Sequence, residues 1–373
     1  MTIGLLAFVC TALGFWISMN WYAYVNLAAV GFDRAILLPA IWALALSFPL
    51  ARALTLRWRN PAMRILYLTA TMWMGSVFLL SFWFLVSSLF RRLAELAGMS
   101  AGYAPVAWIQ ATALAVFAMI LWGLFKALRG PKEVRFPIDR SGRYRQGKRA
   151  RIVQISDVHL GLTLGVDFLS RLVERINRLE PDLVFITGDL VDPEFPSDAA
   201  AAAVLARIEA RQGVFSVSGN HEFYTGLPRF HSMMASAGIP VLENEYRVTA
   251  SGLQVVGIHD QSANRFPHLQ LACDLPKALR GIRDDMPSFL LAHQPKELEP
   301  AAAARVDVVF CGHTHAGQIF PFRAVVRIAY KYLGGKYALG SDTDLVVNTG
   351  TGFWGPPLRV GTDSQIVVVD FDY

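Results

Sequence analysis

The sequence predicts a chain in two parts: an α-helical transmembrane domain of four spans, then an α/β domain in which strands alternate with helices. Three observations carry this. Mean hydropathy is +0.37 and only 17% of the 373 residues are charged, too apolar for an ordinary soluble protein. The apolarity is concentrated before Lys126, in runs close to the length that crosses a bilayer, roughly 20 residues at a helical rise of 1.5 Å. Beyond Lys126 charge and turn residues return at globular frequency, in a stretch long enough for a full core.

The four apolar runs are Ile3 to Val25, Ile36 to Leu54, Ile65 to Leu89 and Val106 to Leu128. No Lys or Arg precedes the first, so it does not read as a secretory signal, and Trp16, Trp21, Tyr22 and Tyr24 read as an interfacial aromatic belt. The organisation expected is a transmembrane domain over 1–128, a basic juxtamembrane linker over 129–150 and the α/β domain over 151–373. Loop charge sets the orientation. Arg52, Arg57, Arg59 and Arg64 join the linker cations on one side, against Arg34, Arg91 and Arg92 on the other. The positive-inside bias therefore places both termini and the α/β domain in the cytoplasm, as part of an integral inner or cell membrane protein.

Net charge is +6, yet much of the excess lies in the linker between Lys126 and Arg151, where it fits anionic lipid; no nucleic acid is expected as a stable partner. No ionisable side chain sits well inside a span, which favours an anchor or scaffold over an ion pathway. Asn20, Asn26 and Gln110 are read as helix-packing residues. Cys10, Cys273 and Cys311 form neither a CxxC pair nor an even framework, so neither a zinc ribbon nor a disulfide scaffold is expected.

In the second half, Arg151 to Ser156 reads as a strand, Val166 to Leu179 as a helix, Leu183 to Thr187 as a strand, Asp198 to Ala210 as a helix and Gly213 to Ser218 as a strand. Such alternation implies parallel βαβ units, whose ligands bind beyond the carboxyl ends of the strands. Those ends carry Asp157 and His159, then Asp189, then Asn220 and His221. The later stretches, at Val241, Tyr246 to Val248 and Leu253 to Ile258, read as short antiparallel strands; Phe289 to Ala292 ends at His293. Val306 to Phe310 runs into Cys311-Gly-His313-Thr-His315, and Leu345 to Val347 and Ile366 to Phe371 close the chain. Each residue has an ordinary explanation on its own, since Asp caps helices, Gly-Asn makes turns and HxH can be a solvated loop. Their joint occurrence at successive strand ends does not.

The ordered blocks Asp157-x-His159, Gly188-Asp189, Gly219-Asn220-His221-Glu222, His293 and Gly312-His313-x-His315 resemble the calcineurin-like metallophosphoesterase family. Ser156 to His159, Gly188 to Asp192 and Cys311 to His315 resemble its bacterial membrane-associated branch. The resemblance covers Arg151 to Tyr373 and implies a four-layer fold, a mixed β-sandwich flanked by helices. It also implies a centre of two divalent cations: Asp157, His159 and His315 on the first, Asn220, His293 and His313 on the second, and Asp189 bridging both. Donors of this kind suit Mn²⁺, Fe²⁺ or Zn²⁺. The implied reaction is phosphoester hydrolysis by in-line attack of a metal-bridging hydroxide, with His221 either protonating the leaving alkoxide or stabilising charge on the phosphoryl oxygens. Cys311 is expected buried rather than ligating, His231 and His268 on the surface, and His259, beside Asp260, as a loop histidine away from the site.

Departures from the family bear on substrate. Pro193 and Glu194 follow Asp192 where protein Ser/Thr phosphatases carry an Arg for phosphate, and Ala316 stands where the branch commonly has Gly. The expectation is a membrane-anchored enzyme for phosphodiesters or pyrophosphates; Phe320, Phe322, Phe353 and Trp354 read equally as an apolar wall, which would suit lipid-linked substrates, or as core. A cyclic-nucleotide phosphodiesterase and a non-catalytic scaffold or sensor with a vestigial metal site are the alternatives. The complete set of seven ligands speaks against vestigiality.

Overall fold

A computed structural model describes residues 3–55, 57–58, 60–98 and 105–373. It divides into one unit of 1–125 with 355–360 and a second of 126–354 with 361–373.

The first unit holds α1 (Ile3–Ala29), α2 (Arg34–Thr55), α3 (Pro61–Leu96) and most of α4 (Pro105–Leu128). Among the described residues, α2, α3 and the stretch Val106–Leu128 are long and apolar enough to cross a membrane, three helices where four spans were expected. The first predicted span is helical, but α1 is not among the three. Arg59, used above for orientation, lies outside the described residues. Helix α3 continues past its apolar run until Arg91 pairs with Glu95 one turn on, at 3.5 Å. Asn20 behaves as a packing residue: its amide donates to Trp16 O and its Oδ1 accepts from Trp73 Nε1 at 2.9 Å.

The second unit is built on two mixed sheets. The first has the order β1-β11-β2-β3-β4, with β1 Lys132–Asp139, β2 Arg149–Ile155, β3 Leu183–Thr187, β4 Gly213–Val217 and β11 Gln365–Asp372. The second has the order β5-β6-β7-β8-β10-β9: β5 Glu245–Val248, β6 Gln254–Gly257, β7 Ser288–Leu291, β8 Val308–Cys311, β9 Gly335–Ala338 and β10 Asp344–Val347. Between them run the helices α5 (Ser141–Tyr144), α6 (Val166–Arg178), α7 (Asp198–Leu205), α8 (Asn220–Thr225), α9 (Leu227–Ser236), α10 (Leu275–Ala278), α11 (Glu299–Ala303) and α12 (Phe322–Ala329).

Burial explains the layers. Val153, Ile155, Val184 and Ile186 face α6, α7 and α9, whereas Ile152, Phe185, Phe215 and Val217 alternate to the other face and meet Phe289, Phe310 and Val346 of the second sheet. Leu290, Val309 and Leu345 then pack under α10 and α11. The result is helix, sheet, sheet, helix.

Three differences from the sequence reading have physical causes. Lys132–Asp139, read as linker, is a parallel edge strand against β11; its charged residues alternate outward along the solvated edge, so it looks like a tail. Val241, read with the short antiparallel strands, instead makes an isolated parallel bridge to Ser216, whereas β5–β6 is antiparallel as read; the run β6-β7-β8-β10 beyond it is parallel, through crossovers too short to read from periodicity. Helix α7 stops at Leu205, earlier than Ala210.

Candidate metal centre

All seven predicted ligands converge beyond the strand ends, and so does His221. The backbone must turn sharply there. Asp157, His159, Asp189, His313 and His315 all have φ between 47° and 68°, a left-handed conformation that costs a non-glycine residue about 1 kcal/mol or more and is retained where geometry matters. Close approach is equally demanding at Gly312, where a Cβ would lie 2.2 Å from Asp157 Oδ2 and 2.0 Å from Ser156 Oγ. Only glycine lets the HxH turn meet the Asp157 turn.

Three groups of donor atoms are clustered closely enough to hold a cation: Asp157, His159 and His315; Asp189, His293 and His313; and His159, Asp189 and His221. His159 Nε2 faces His315 Nε2 at 3.1 Å, and His315 Nε2 lies 3.4 Å from Asp157 Oδ1. On the other side, His293 Nε2 is 3.2 Å from Asn220 Oδ1 and 3.2 Å from His313 Nδ1. Asp189 sits between. Its Oδ1 accepts from the His221 amide at 2.8 Å, while Oδ2 lies 3.2 Å from His293 Nε2 and 3.9 Å from His159 Nε2. One oxygen, rather than the two ends of the carboxylate, addresses both groups.

The rings are held in the tautomer that a cation needs. His293 Nδ1 donates to Thr187 O at 2.8 Å and His159 Nδ1 to Asp192 Oδ1 at 3.0 Å, turning both Nε2 atoms inward. His313 is reversed, with Nδ1 inward. Its Nε2 donates to Tyr330 Oη at 2.6 Å, Tyr330 donates to Gln294 Oε1 at 2.9 Å, and Gln294 Nε2 donates to both carboxylate oxygens of Asp260 at 2.9 Å. Asp260 can only accept, so every proton in this chain has a fixed direction.

Electrostatics point the same way. Burial raises the Asp157 carboxyl, but His315 and His293 outweigh it and hold it below the usual range; Asp189 is likewise buried, yet His293 and His221 hold it well below. His293 is the converse: burial disfavours its charge, and Asp189 and Asp157 raise it well above the ordinary value. Buried carboxylates thus require positive charge at this point, which a cation supplies. Burial and the neighbouring His293 push His313 down to about 3, keeping it a neutral donor.

His221 lies at the rim, its Nδ1 2.6 Å from Asp192 Oδ1 and its ring edge-on to His159 with centroids 4.6 Å apart. Burial opposes its charge, but Asp189 and Asp192 hold its pKa up at about 9. Beside it stand Tyr224 and Trp354, both more than half exposed, with ring centroids 5.5 and 6.3 Å away. Phe353 is buried against Leu164 and Ala127, so it belongs to the core and not to an apolar wall. The wall expected from sequence fails at that residue because adjacent side chains in the Phe353-Trp354 turn point opposite ways. His259 stays away from the site, 3.6 Å from Glu243, and His231 is half-buried on the same carboxylate at 2.8 Å. Cys311 is buried, its thiol raised well above the ordinary range by burial.

Three contributors were not identified from sequence. Glu222 buries its carboxylate under the Asp189 turn, accepting from the amides of Gly219, Asp189, Leu190 and Val191 at 2.6 to 3.3 Å. Asp192 couples His159 to His221. Tyr330 orients His313. The first two lie inside quoted blocks, so their position was visible and their role was not; Tyr330 had no signal at all.

Residues 150–317 match the family "Calcineurin-like phosphoesterase". An "Uncharacterized metallophosphoesterase" of Helicobacter pylori is 36% identical over 254 residues, 68% of this chain and 67% of its own length. A "Transmembrane protein with metallophosphoesterase domain" of Danio rerio is 32% identical over 310 residues, 79% of this chain and 70% of the relative. The bovine protein of that name is 36% identical over 228 residues, and there the match spans 51% of the relative. Among solved structures, a dimetal phosphatase from Danio rerio matches 54% of this chain and 88% of its own at 16% identity and a TM-score of 0.36. With its ordered motifs, its two sheets and these relatives, the chain belongs to the calcineurin-like metallophosphoesterase family.

Proposed function

We propose that this protein is a membrane-anchored phosphoesterase that works with two divalent cations, Mn²⁺, Fe²⁺ or Zn²⁺, and cleaves phosphodiester or pyrophosphate bonds, lipid-linked ones foremost. The observation that carries the reading is Asp189 Oδ2, directed at both His293 and His159 from between two donor groups. Asp157, His159 and His315 would hold one cation, Asn220, His293 and His313 the other, with Asp189 available to both. Bound cations supply Lewis-acid charge for phosphoryl oxygens and a water of lowered pKa.

The chain's own residues do the rest. Asp192 accepts from His221 Nδ1, which keeps the ring protonated and leaves Nε2 to donate a proton to the leaving oxygen. Glu222 and the His221 amide fix Asp189, so the donor positions do not relax as charge develops. Tyr224 and Trp354 give the rim an apolar side beside that acid. Together with the membrane-length helices, this rim supports a lipid-linked substrate, and the loop cations support a cytoplasmic site.

The full chain in detergent, loaded with Mn²⁺, is to be assayed against bis-p-nitrophenyl phosphate, a phosphomonoester and a lipid pyrophosphate. Metal-dependent turnover of the diester or pyrophosphate is expected, faster on the lipid; hydrolysis of the monoester alone would overturn the bond class, and no turnover with any metal would overturn the enzyme. A reporter fused after Tyr373 that is active only outside the cytoplasm would overturn the orientation.

A further inference from the structure

Helix α12, Phe322–Ala329, has no buried residue, although it begins a few residues after the last ligand, His315. At 100° per residue, Val325, Val326, Ile328 and Ala329 share one side with Phe322, while Arg323 and Arg327 stack one turn apart on the other. Val325 is 52% exposed and Ile328 88%, the highest exposure of any large apolar side chain described in this domain. Both arginines are exposed, and neither forms an ion pair with a described residue. A short helix with an apolar face and a basic stripe is the composition that lies in a lipid interface.

We propose that α12 docks on the surface of an anionic bilayer, its Val325 and Ile328 face in the acyl boundary and Arg323 and Arg327 on the lipid phosphates. Three arguments favour lipid over a second copy of the chain. The charge is complementary to anionic headgroups. An eight-residue helix covers far less than the roughly 800 Å² per partner of a stable protein interface. The same chain carries three helices fit to cross a membrane, so weak docking is amplified by tethering.

Both ends of α12 are fixed to the ligand turn. A Cβ on Gly317, whose φ is +82°, would lie 2.4 Å from Arg323 Cα, so the helix start packs directly on the HxH turn. Just past its end, Tyr330 bonds His313. Docking would therefore hold His313 and its neighbours at a set height above the lipid, and in this the proposal rests on the reading of the site given above.

The test needs no turnover, so its failure is separable from failure of that reading. Ile328→Cys, in a full chain with Cys10→Ser and Cys273→Ser, is nitroxide-labelled and placed in nanodiscs containing phosphatidylglycerol; Glu245→Cys on β5 is the aqueous control. The expected result is severalfold greater access to oxygen than to a water-soluble nickel chelate at 328, reversed at 245, with R323E/R327E returning 328 toward the control. Nickel access at 328 equal to the control would overturn the proposal, and so would exclusion of both reagents, which would mean that protein covers the helix. Should the double arginine variant fail to fold, the Ile328→Cys measurement alone decides, since a label in lipid supports docking and a label in water overturns it.

Discussion

Tyr330 holds its hydroxyl 2.6 Å from Nε2 of His313, on the side of the ring away from the other ligands. Because the Tyr330 proton is committed to Gln294, and Gln294 to Asp260, the tyrosine can only accept, and His313 must present Nδ1 to the site. Tyr330→Phe keeps the ring and its contact with Lys296 Nζ, 4.1 Å from the centroid, and removes only that constraint. Affinity for one of two Mn²⁺ is expected to fall about 10- to 100-fold, with the other unchanged, by titration calorimetry. Equal loss at both sites, or none, would remove Tyr330 from this role.

His221 separates acid from ligand. His221→Ala is expected to lower turnover by about 10² to 10⁴ while both metals remain by elemental analysis. Loss of a metal would instead make His221 a ligand, an arrangement that its clustering with His159 and Asp189 would accommodate.

Ala316 explains a departure noted in the sequence. Its φ of 48° and ψ of 30° are left-handed, where a Cβ is strained and glycine is not. Ala316→Gly is expected to raise stability by about 0.5–1 kcal/mol in thermal denaturation, with metal binding intact. A fall in stability would show that the Ala316 methyl contributes more by packing than its backbone loses.

The pair His231–Glu243 gives stability a pH window. Its bond to Glu243 raises His231 above 6.5, so that contribution is complete below 6.5 and is lost as pH rises through the folded value. Burial raises Glu243, but His231 and His259 outweigh it and hold it below 4.5; its contribution is present above 4.5 and lost as pH falls through the folded value. The two overlap most between 4.5 and 6.5. Since His231 is only half-buried, Glu243→Gln should cost at most about 1 kcal/mol there, and less as pH rises through the folded value of His231, by thermal melts across pH. A pH-independent cost would assign Glu243 a packing role alone.

Much of this protein was legible because its signals are local. Leu183 to Thr187 is short, continuous and β-branched, and it is β3 as read; Gly188-Asp189 and the HxH turn announce themselves by residue type at a strand end. Where pairing partners are distant the reading weakens. Lys132–Asp139 is a strand only because β11, more than two hundred residues on, lies beside it. The parallel run β6-β7-β8-β10 is set by crossovers that carry no periodicity.

By itself, the sequence determined the apolar half, the alternating strands and helices, and the identity of all seven ligand candidates, since hydropathy, period and residue chemistry are properties of neighbouring residues. Tertiary structure alone decided which atom of each ligand faces inward. Thr187 O, Asp192 and Tyr330 set the inward nitrogens of His293, His159 and His313, and the His221 amide leaves Asp189 only Oδ2. A tautomer is fixed by whatever lies on the far side of a ring, and here that partner comes from another turn or another strand.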